Sequence, residues 1–256
     1  MAGTGTSRAL KPVLRARRRR RRRLRASRRR RHLSWLHNGY YRLKPRWVRI
    51  ERQSVFIWIP KTAGSSLFEA LHRVGCRLVK TDAELARYFD GAGCFSFGHM
   101  DYLSLVGEDT IDPVFGADAF RFTVVRDPYD RAVSLWAYWR GIGKIPAEVT
   151  FATFVTMLSE PLHPLGVHNA DGNSQLHPQT AWIARDGKVA VDLVMRFEHI
   201  NDDAKVLAAE LGLPSLELPT TNSSDRGSAD EYYTPALRRQ VAEVWASDFE
   251  LLGYEP

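Results

Sequence analysis

Short apolar runs that end in polar turns are the main pattern along this chain. Val55–Ile59 contains five apolar residues, mostly β-branched or aromatic, which predicts a strand covered on both faces. The periodic run Leu67–Val74 predicts a helix with Ser65 or Ser66 as its N-cap and Gly75 at its end. The sequence therefore predicts a strand, a short loop and a helix in direct succession.

The same alternation continues to the end of the chain. Further strands are predicted at 94–97, 120–125 and 192–196, and helices at 131–139, 151–158 and 200–211. Asp130 is the expected cap of the helix at 131–139. A last helix begins at Pro235 after the N-cap Thr234, and its apolar stripe runs to Phe249. Because strands and helices alternate, we predict an α/β fold: a three-layer, P-loop-like domain with a mostly parallel central sheet and helices on both faces.

Positive charge is concentrated at the start of the chain. The 256 residues have a net charge of +8, but fifteen of the 37 Lys and Arg residues lie between Arg8 and Arg31, where there is no acid. The rest of the chain has 22 bases and 29 acids, a net charge of −7. We predict a disordered Arg-rich tail at 1–34 and a single domain at 35–256. The tail either binds polyanions weakly or is a solvated extension without a partner.

Two further features limit the class of protein. No stretch approaches the roughly 18 consecutive apolar residues of a membrane span, and no apolar segment of a signal peptide follows the basic run. We therefore expect a soluble, cytoplasmic protein. The two cysteines, Cys76 and Cys94, are too few for a disulfide framework, and buried reduced thiols are expected.

The loop between the first strand and helix contains the pattern of an anion site. The residues from Lys61 to Ser66 place a lysine, small residues and hydroxyls where backbone N–H groups and the positive end of a helix dipole converge. In the nucleotide-triphosphate P-loop the lysine follows the glycines, whereas here it precedes Gly64. The alternative is an ordinary strand-to-helix turn with a solvated lysine.

A second candidate anion site follows the strand at 120–125. Arg126 lies at the strand end and Ser134 one turn into the next helix, so a guanidinium and a hydroxyl can converge on one dianion. The alternative for Arg126 is a salt bridge to Asp127 or Asp130 across the turn.

His99 follows the strand at 94–97, on the edge where open α/β sheets bind ligands. A lone histidine is more often structural than catalytic. An imidazole that titrates near neutrality can nevertheless act as a general base.

These segments together resemble the family of sulfotransferases that use 3′-phosphoadenosine 5′-phosphosulfate (PAPS), in particular the Golgi-type, uronyl 2-O-sulfotransferase-like carbohydrate branch. The resemblance rests on PKTAGSS, on Gly98-His99 and on RDPYxRxxS, and it extends from about residue 53 to 254. It implies a 5′-phosphosulfate loop formed by Lys61, Thr62, Ala63, Gly64, Ser65 and Ser66. It also implies that Arg126 and Ser134 bind the 3′-phosphate and that His99 is the base. Lys61 would neutralise the bridging oxygen, and no metal is needed.

Three weaker matches lie further along the chain. The segment containing Gln179 resembles the acceptor segment of the family, and Arg226 lies in a stretch resembling the loop that closes over the nucleotide. Glu198 ends a strand as in the family; it is either a second acid/base or a structural carboxylate that accepts backbone N–H groups. The Pro- and Gly-rich stretch at 141–175 is expected to form part of the acceptor-binding wall.

The predicted function is transfer of a sulfuryl group from PAPS to a hydroxyl acceptor, expected to be a carbohydrate. A different class remains open, namely a P-loop-type nucleotide kinase or another phosphate-binding protein whose basic tail binds polyanions.

Overall fold

The computed structural model describes residues 50, 52–79, 93–107, 111, 113–160, 173–219 and 227–256. The predicted disordered tail at 1–34 and the predicted nucleotide-loop residue Arg226 lie outside the described residues. No helix in the described part of the chain is long and apolar enough to cross a lipid bilayer.

A parallel sheet forms the centre of the described domain. Its strands are β1 (Ser54–Ile57), β2 (Arg77–Leu78), β3 (Cys94–Ser96), β4 (Phe120–Val125) and β7 (Leu193–Arg196). They lie in the order β2-β3-β1-β4-β7, and every neighbouring pair is parallel. A separate antiparallel hairpin consists of β5 (Ala184–Arg185) and β6 (Lys188–Val189). The strand β1 therefore lies between β3 and β4, and loops after all three meet at one edge of the sheet.

The predicted helices occur with several changed boundaries, and the helices at 102–107, 113–118 and 180–183 were not predicted. They are α1 (Gly64–Arg73), α2 (Tyr102–Gly107), α3 (Pro113–Asp118), α4 (Pro128–Gly141), α5 (Phe151–Leu158), α6 (Thr180–Ile183), α7 (Ile200–Glu210), α8 (Pro235–Val244) and α9 (Ala246–Leu252). Short 3₁₀ segments occupy Phe197–His199 and Ala229–Tyr232.

Three predictions about helix ends were wrong. Helix α1 begins before Ser65, with Ala63 as an N-cap that uses no side chain. The cap of α4 is Asp127, whose carboxylate accepts from the N–H of Asp130 at 2.9 Å, because Pro128 already begins the helix. The last helix is divided at Trp245, whose ring N–H donates to a distant carbonyl at 2.8 Å. The predicted cap Thr234 is confirmed by its bond to the N–H of Leu237 at 3.2 Å.

Helices cover both faces of the sheet, which confirms the predicted three-layer α/β fold. Phe56 points to the face covered by α1 and α7, while its neighbours Val55 and Ile57 point to the face covered by α2, α3 and α6. A third apolar cluster joins α4, α5 and α8 around the buried rings of Trp139 and Trp245. Because both faces are covered, the polar chemistry of the domain is confined to the edges of the sheet.

The two cysteines lie side by side between β2 and β3. Both are buried and unoxidised, as predicted, with their Sγ atoms 3.0 Å apart. Burial raises the pKa of the Cys76 thiol well above its ordinary value.

Candidate active site

The loop after β1 has the backbone geometry of an anion-binding turn. Lys61 and Ala63 have positive φ angles of 69° and 67°, in the left-handed region that costs a non-glycine residue about 1–3 kcal/mol. The buried Thr62 hydroxyl donates to the carbonyl of Ile59 at 3.0 Å, so the side chain of Thr62 holds the loop together. Left-handed Ala63 followed by helical Gly64 is the alternation that turns successive N–H groups towards one concave side.

Helix α1 points its amino end into this loop. The N–H of Ser66 donates to the carbonyl of Ala63 at 3.0 Å and so closes the turn. Gly64 and Ser65 are the first residues of the helix, where N–H groups precede any intrahelical partner and the helix dipole is positive. Ser65 is exposed and Ser66 is buried, so only Ser65 extends its hydroxyl into solvent.

Gly64 is required because Trp58 packs directly against it. A Cβ atom on Gly64 would lie 2.1 Å from Nε1 of Trp58, which no rotamer change at position 64 could relieve. The same indole ring meets the imidazole of His99 edge-on, with the ring centroids 5.3 Å apart. Trp58 therefore fixes the distance between the loop and the histidine, a role that the sequence pattern did not reveal.

His99 is held in one tautomer by the main chain. Its Nδ1 lies 2.7 Å from the carbonyl oxygen of Trp58, and because a carbonyl only accepts, Nδ1 carries the hydrogen. The lone pair of the neutral ring is then on Nε2. The ring N–H of Trp182 fixes the backbone from the other side, donating to the carbonyl of His99 at 3.3 Å.

Burial lowers the pKa of His99 below its ordinary value, and the charges of Lys61 and Arg131 lower it further, against the opposing effect of the bond to Trp58. The imidazole is therefore neutral at pH 7, the state that a general base requires.

Lys61 reaches from the loop towards helix α4. Its Nζ lies 4.0 Å from the centroid of the Tyr138 ring, one turn after Ser134 on the same helix. Ser134 itself is buried on α4. The lysine of the first motif and the serine of the second are therefore on adjoining elements.

Arg126 connects the two predicted anion sites. One of its guanidinium nitrogens lies 3.5 Å from the carbonyl of Lys61, and the group stacks 4.0 Å above the ring of Phe197. Its Nε donates to the carboxylate of Asp130 at 2.7 Å, so the ion pair considered as the alternative is present. An ion pair of this kind holds the guanidinium at the loop, where a dianion can compete with Asp130 for it.

Arg131, five residues later, has a structural role that the sequence did not distinguish. Its guanidinium is fully buried and donates to the carbonyls of Pro60, Gln175 and His177 at 3.2, 3.1 and 3.0 Å. Burial lowers the pKa of Arg131 to about 10, which still leaves the group charged at pH 7. The sequence signal for burial of Arg131 was its position among the apolar residues of α4.

Glu198 accepts one hydrogen bond from the backbone and one from a side chain, in line with its predicted role as a structural carboxylate. Its Oε1 accepts from the N–H of Asp127 at 2.7 Å and its Oε2 from the hydroxyl of Tyr254 at 3.1 Å. Both oxygens are therefore occupied in holding the chain after β4.

These elements place hydrogen-bond donors at one edge of the sheet. The loop with Lys61 follows β1, His99 follows β3 and Arg126 follows β4, so the carboxyl ends of three adjacent strands contribute. N–H groups at a helix start, a lysine and a guanidinium are donors that match phosphate and sulfate oxygens.

The chain is similar to known sulfotransferases. The sulfotransferase family profile matches residues 47–255. Among solved structures, the crystal structure of the mouse sulfotransferase SULT7A1 complexed with PAP is similar, with a TM-score of 0.51 and 19% identity, covering 80% of this chain and 86% of that one. A sulfotransferase from Alicyclobacillus acidocaldarius has a TM-score of 0.45 and 19% identity, covering 78% and 93%. No curated protein sequence matches. Because the profile spans nearly the whole described domain, the chain belongs to the sulfotransferase family.

Proposed function

We propose that this protein transfers a sulfuryl group from PAPS to a hydroxyl group, with a carbohydrate as the acceptor. The observation that carries the proposal is the convergence of Lys61, His99 and Arg126 at the carboxyl ends of β1, β3 and β4. A donor loop, a base and a second anion site are the three parts that such a reaction needs.

The two ends of PAPS would bind to the two anion sites. The loop N–H groups at Gly64 and Ser65, with Lys61, face the 5′-phosphosulfate, and Arg126 with Ser134 binds the 3′-phosphate. Arg126 supports both assignments because its guanidinium already lies within 3.5 Å of the carbonyl of Lys61. The resemblance adds Arg226 as a further ligand of the nucleotide.

Transfer would be an in-line displacement at sulfur. The acceptor oxygen forms a bond to sulfur while the bond between sulfur and the bridging phosphate oxygen breaks, and the electron pair of that bond remains on the phosphate. His99 takes the hydroxyl proton on Nε2, and the ammonium group of Lys61 stabilises the charge that develops on the leaving oxygen. The lowered pKa of His99 keeps Nε2 available for this proton at pH 7.

Support for a carbohydrate acceptor comes from the resemblance to the carbohydrate sulfotransferases. Within the described part of the chain, Tyr138 and Ile142 are large apolar residues exposed near the end of α4, and Tyr138 contacts Lys61. An acceptor placed against Tyr138 would lie beside the group that stabilises the leaving oxygen.

The proposal is tested by incubating the full chain with PAPS labelled at sulfur and a panel of glycans, followed by separation of labelled glycan from nucleotide. We expect labelled glycan with the wild type and none above background with His99→Ala. Parallel reactions with γ-labelled ATP and Mg²⁺ test for a kinase. Phosphate transfer from ATP without sulfuryl transfer from PAPS would contradict the proposal.

A further inference from the structure

A buried chain of hydrogen bonds joins Arg126 to the last helix of the protein. The side-chain oxygen of Gln179 accepts from the backbone N–H of Arg126 at 2.8 Å, and its side-chain nitrogen donates to the backbone carbonyl of Arg126 at 2.8 Å. Gln179 is completely buried. One amide therefore satisfies both polar groups of the main chain at Arg126.

This arrangement replaces a missing strand. The ladder between β4 and β7 ends with the pair Val125 and Arg196, so Arg126 is the first residue beyond it. A backbone N–H and carbonyl at that position need partners, and the amide of Gln179 supplies the same donor and acceptor that a neighbouring strand would supply.

The carboxylate of Asp248 on α9 accepts hydrogen bonds from Gln179 and from its neighbour Thr180. One carboxylate oxygen accepts from the backbone N–H of Gln179 at 2.9 Å and from its side-chain nitrogen at 3.2 Å. The other oxygen accepts from the N–H and hydroxyl of Thr180 at 2.9 and 3.0 Å. Because the amide nitrogen donates to a carbonyl and a carboxylate at once, it cannot rotate without breaking both bonds.

We propose that Gln179, fixed by Asp248, is a positioning residue for Arg126 and sets the preference of the site for nucleotides with a 3′-phosphate. This inference rests on the proposed function, in which Arg126 binds that phosphate. Gln179 holds the backbone N–H and carbonyl on either side of the Cα atom of Arg126. The side chain that carries the guanidinium therefore begins at a fixed position. A fixed origin lowers the entropy lost when a guanidinium binds a dianion.

The hydrogen bonds of Gln179 indicate a different role from the one that the resemblance implies. The resemblance places Gln179 in the acceptor-binding part of the site. Its side chain is buried, and both of its polar atoms are engaged by Arg126 and Asp248. Gln179 therefore acts on the nucleotide side of the site, through Arg126.

The test compares two buried glutamines of one segment. Gln179→Met removes the bonds to Arg126 with little change in volume. Gln175→Met is the matched control, because the side chain of Gln175 is also buried and accepts from the ring N–H of Trp139 instead. Calorimetry would give Kd for 3′-phosphoadenosine 5′-phosphate (PAP) and for adenosine 5′-monophosphate (AMP). We expect Gln179→Met to reduce the PAP preference about tenfold, and Gln175→Met to leave it unchanged while lowering the melting temperature.

A double variant distinguishes positioning from a general loss of structure. If Gln179 acts through Arg126, adding Gln179→Met to Arg126→Ala should not reduce the PAP preference further. An unchanged preference in Gln179→Met, or an additive loss in the double variant, would overturn the inference. A wild-type protein that binds PAP and AMP equally would instead overturn the proposed function.

A milder substitution tests the same inference if the Gln179→Met protein does not fold. Thr180→Val removes the hydroxyl's bonds to Asp248 and Ser247 and leaves Gln179 in place. We expect the PAP preference to fall about two- to threefold, less than in Gln179→Met, because Asp248 keeps its bonds to Gln179. An unchanged ratio in a folded Thr180→Val protein would equally overturn the inference.

Discussion

The loop after β1 and the junction after β4 both lie at the candidate site, but they are stabilised in different ways. Within the loop after β1, hydrogen bonds join residues close in sequence, Thr62 to Ile59 and Ser66 to Ala63, and Arg131 adds a bond to the carbonyl of Pro60. The junction after β4 is held by residues 53 or more positions away, through Gln179 and Glu198. The turn of the loop is therefore formed mainly by a short motif, whereas the main chain of Arg126 is held by the distant Gln179.

The loop after β1 and the junction after β4 also differ in their proposed chemical roles. In the proposed reaction, Lys61 and His99 act where the bonds to sulfur form and break, while Arg126 binds the 3′-phosphate. Changes near the first loop should therefore act mainly on turnover, and changes at the junction mainly on binding.

The largest effect is expected for His99→Ala, about a 10²–10⁴-fold loss of kcat/KM with little change in PAP affinity. In the wild type, kcat/KM should rise with pH through a pKa below the ordinary 6.5 and then level, because only neutral His99 accepts the proton. The measurement is a pH–rate profile with an acceptor found in the transfer assay.

His72→Ala is the matched control, since the Nδ1 of His72 also bonds to a backbone carbonyl, at 3.0 Å, but at the far end of α1. Glu198→Gln tests the rival base, for which the profile would be flat above about pH 6. If the His99→Ala protein has near-normal activity and its kcat/KM still falls at low pH, another residue is the general base.

Lys61→Ala should lower kcat by about 10²–10³-fold while weakening PAP binding much less, because its charge matters most as the leaving oxygen becomes negative. Lys144→Ala provides the control: its Nζ also lies 4.0 Å from an aromatic centroid, that of Trp139, after the end of α4. Steady-state kinetics and calorimetry on both variants check the difference. A Lys61→Ala enzyme that retains most of its turnover would remove Lys61 from the reaction.

Arg126→Ala should reduce the preference for PAPS over adenosine 5′-phosphosulfate by about 10- to 100-fold, because it removes a charged, bidentate donor. Ser134→Ala should have a smaller effect, about tenfold or less, since a neutral hydroxyl donates one hydrogen bond. Competition binding with the two nucleotides measures both ratios. Unchanged ratios in both variants would remove the assignment of the 3′-phosphate.

Deletion of residues 1–34 should have the smallest effect on either loop. We expect unchanged melting temperature and PAP affinity, because fifteen bases between Arg8 and Arg31 and few apolar residues give the segment no face with which to join a core. Of the two roles left open for the tail, polyanion contact predicts that the deletion weakens binding to heparin in a salt-dependent way, and a solvated extension predicts no change. A large fall in melting temperature would show that the segment is part of the fold.

Local signals explain what the sequence predicted well. The apolar runs at 94–97 and 120–125 correspond to β3 and β4, and the start of the helix at Pro235 follows from its cap. The two-residue strands β2, β5 and β6 were missed because two residues carry no periodicity.

The supports of the site were missed for a different reason. In the sequence, Trp58 is one residue of a predicted strand, and Arg131 is the second basic residue of the RDPYxRxxS motif. Their roles appear only when Gly64 and His99 lie against Trp58, and when the carbonyl of Pro60 lies against Arg131. Contacts such as Trp58 with His99, 41 positions apart, and Pro60 with Arg131, 71 positions apart, leave no pattern in a single sequence.

The most direct test of the central claim is a titration of the wild-type protein with PAP, AMP and Mg²⁺-ATP by calorimetry. If one loop binds the 5′ end and the other the 3′-phosphate, PAP should bind at least about tenfold more tightly than AMP, without Mg²⁺. Equal affinities for PAP and AMP, or tight binding of ATP only with Mg²⁺, would contradict a site built for the two ends of PAPS.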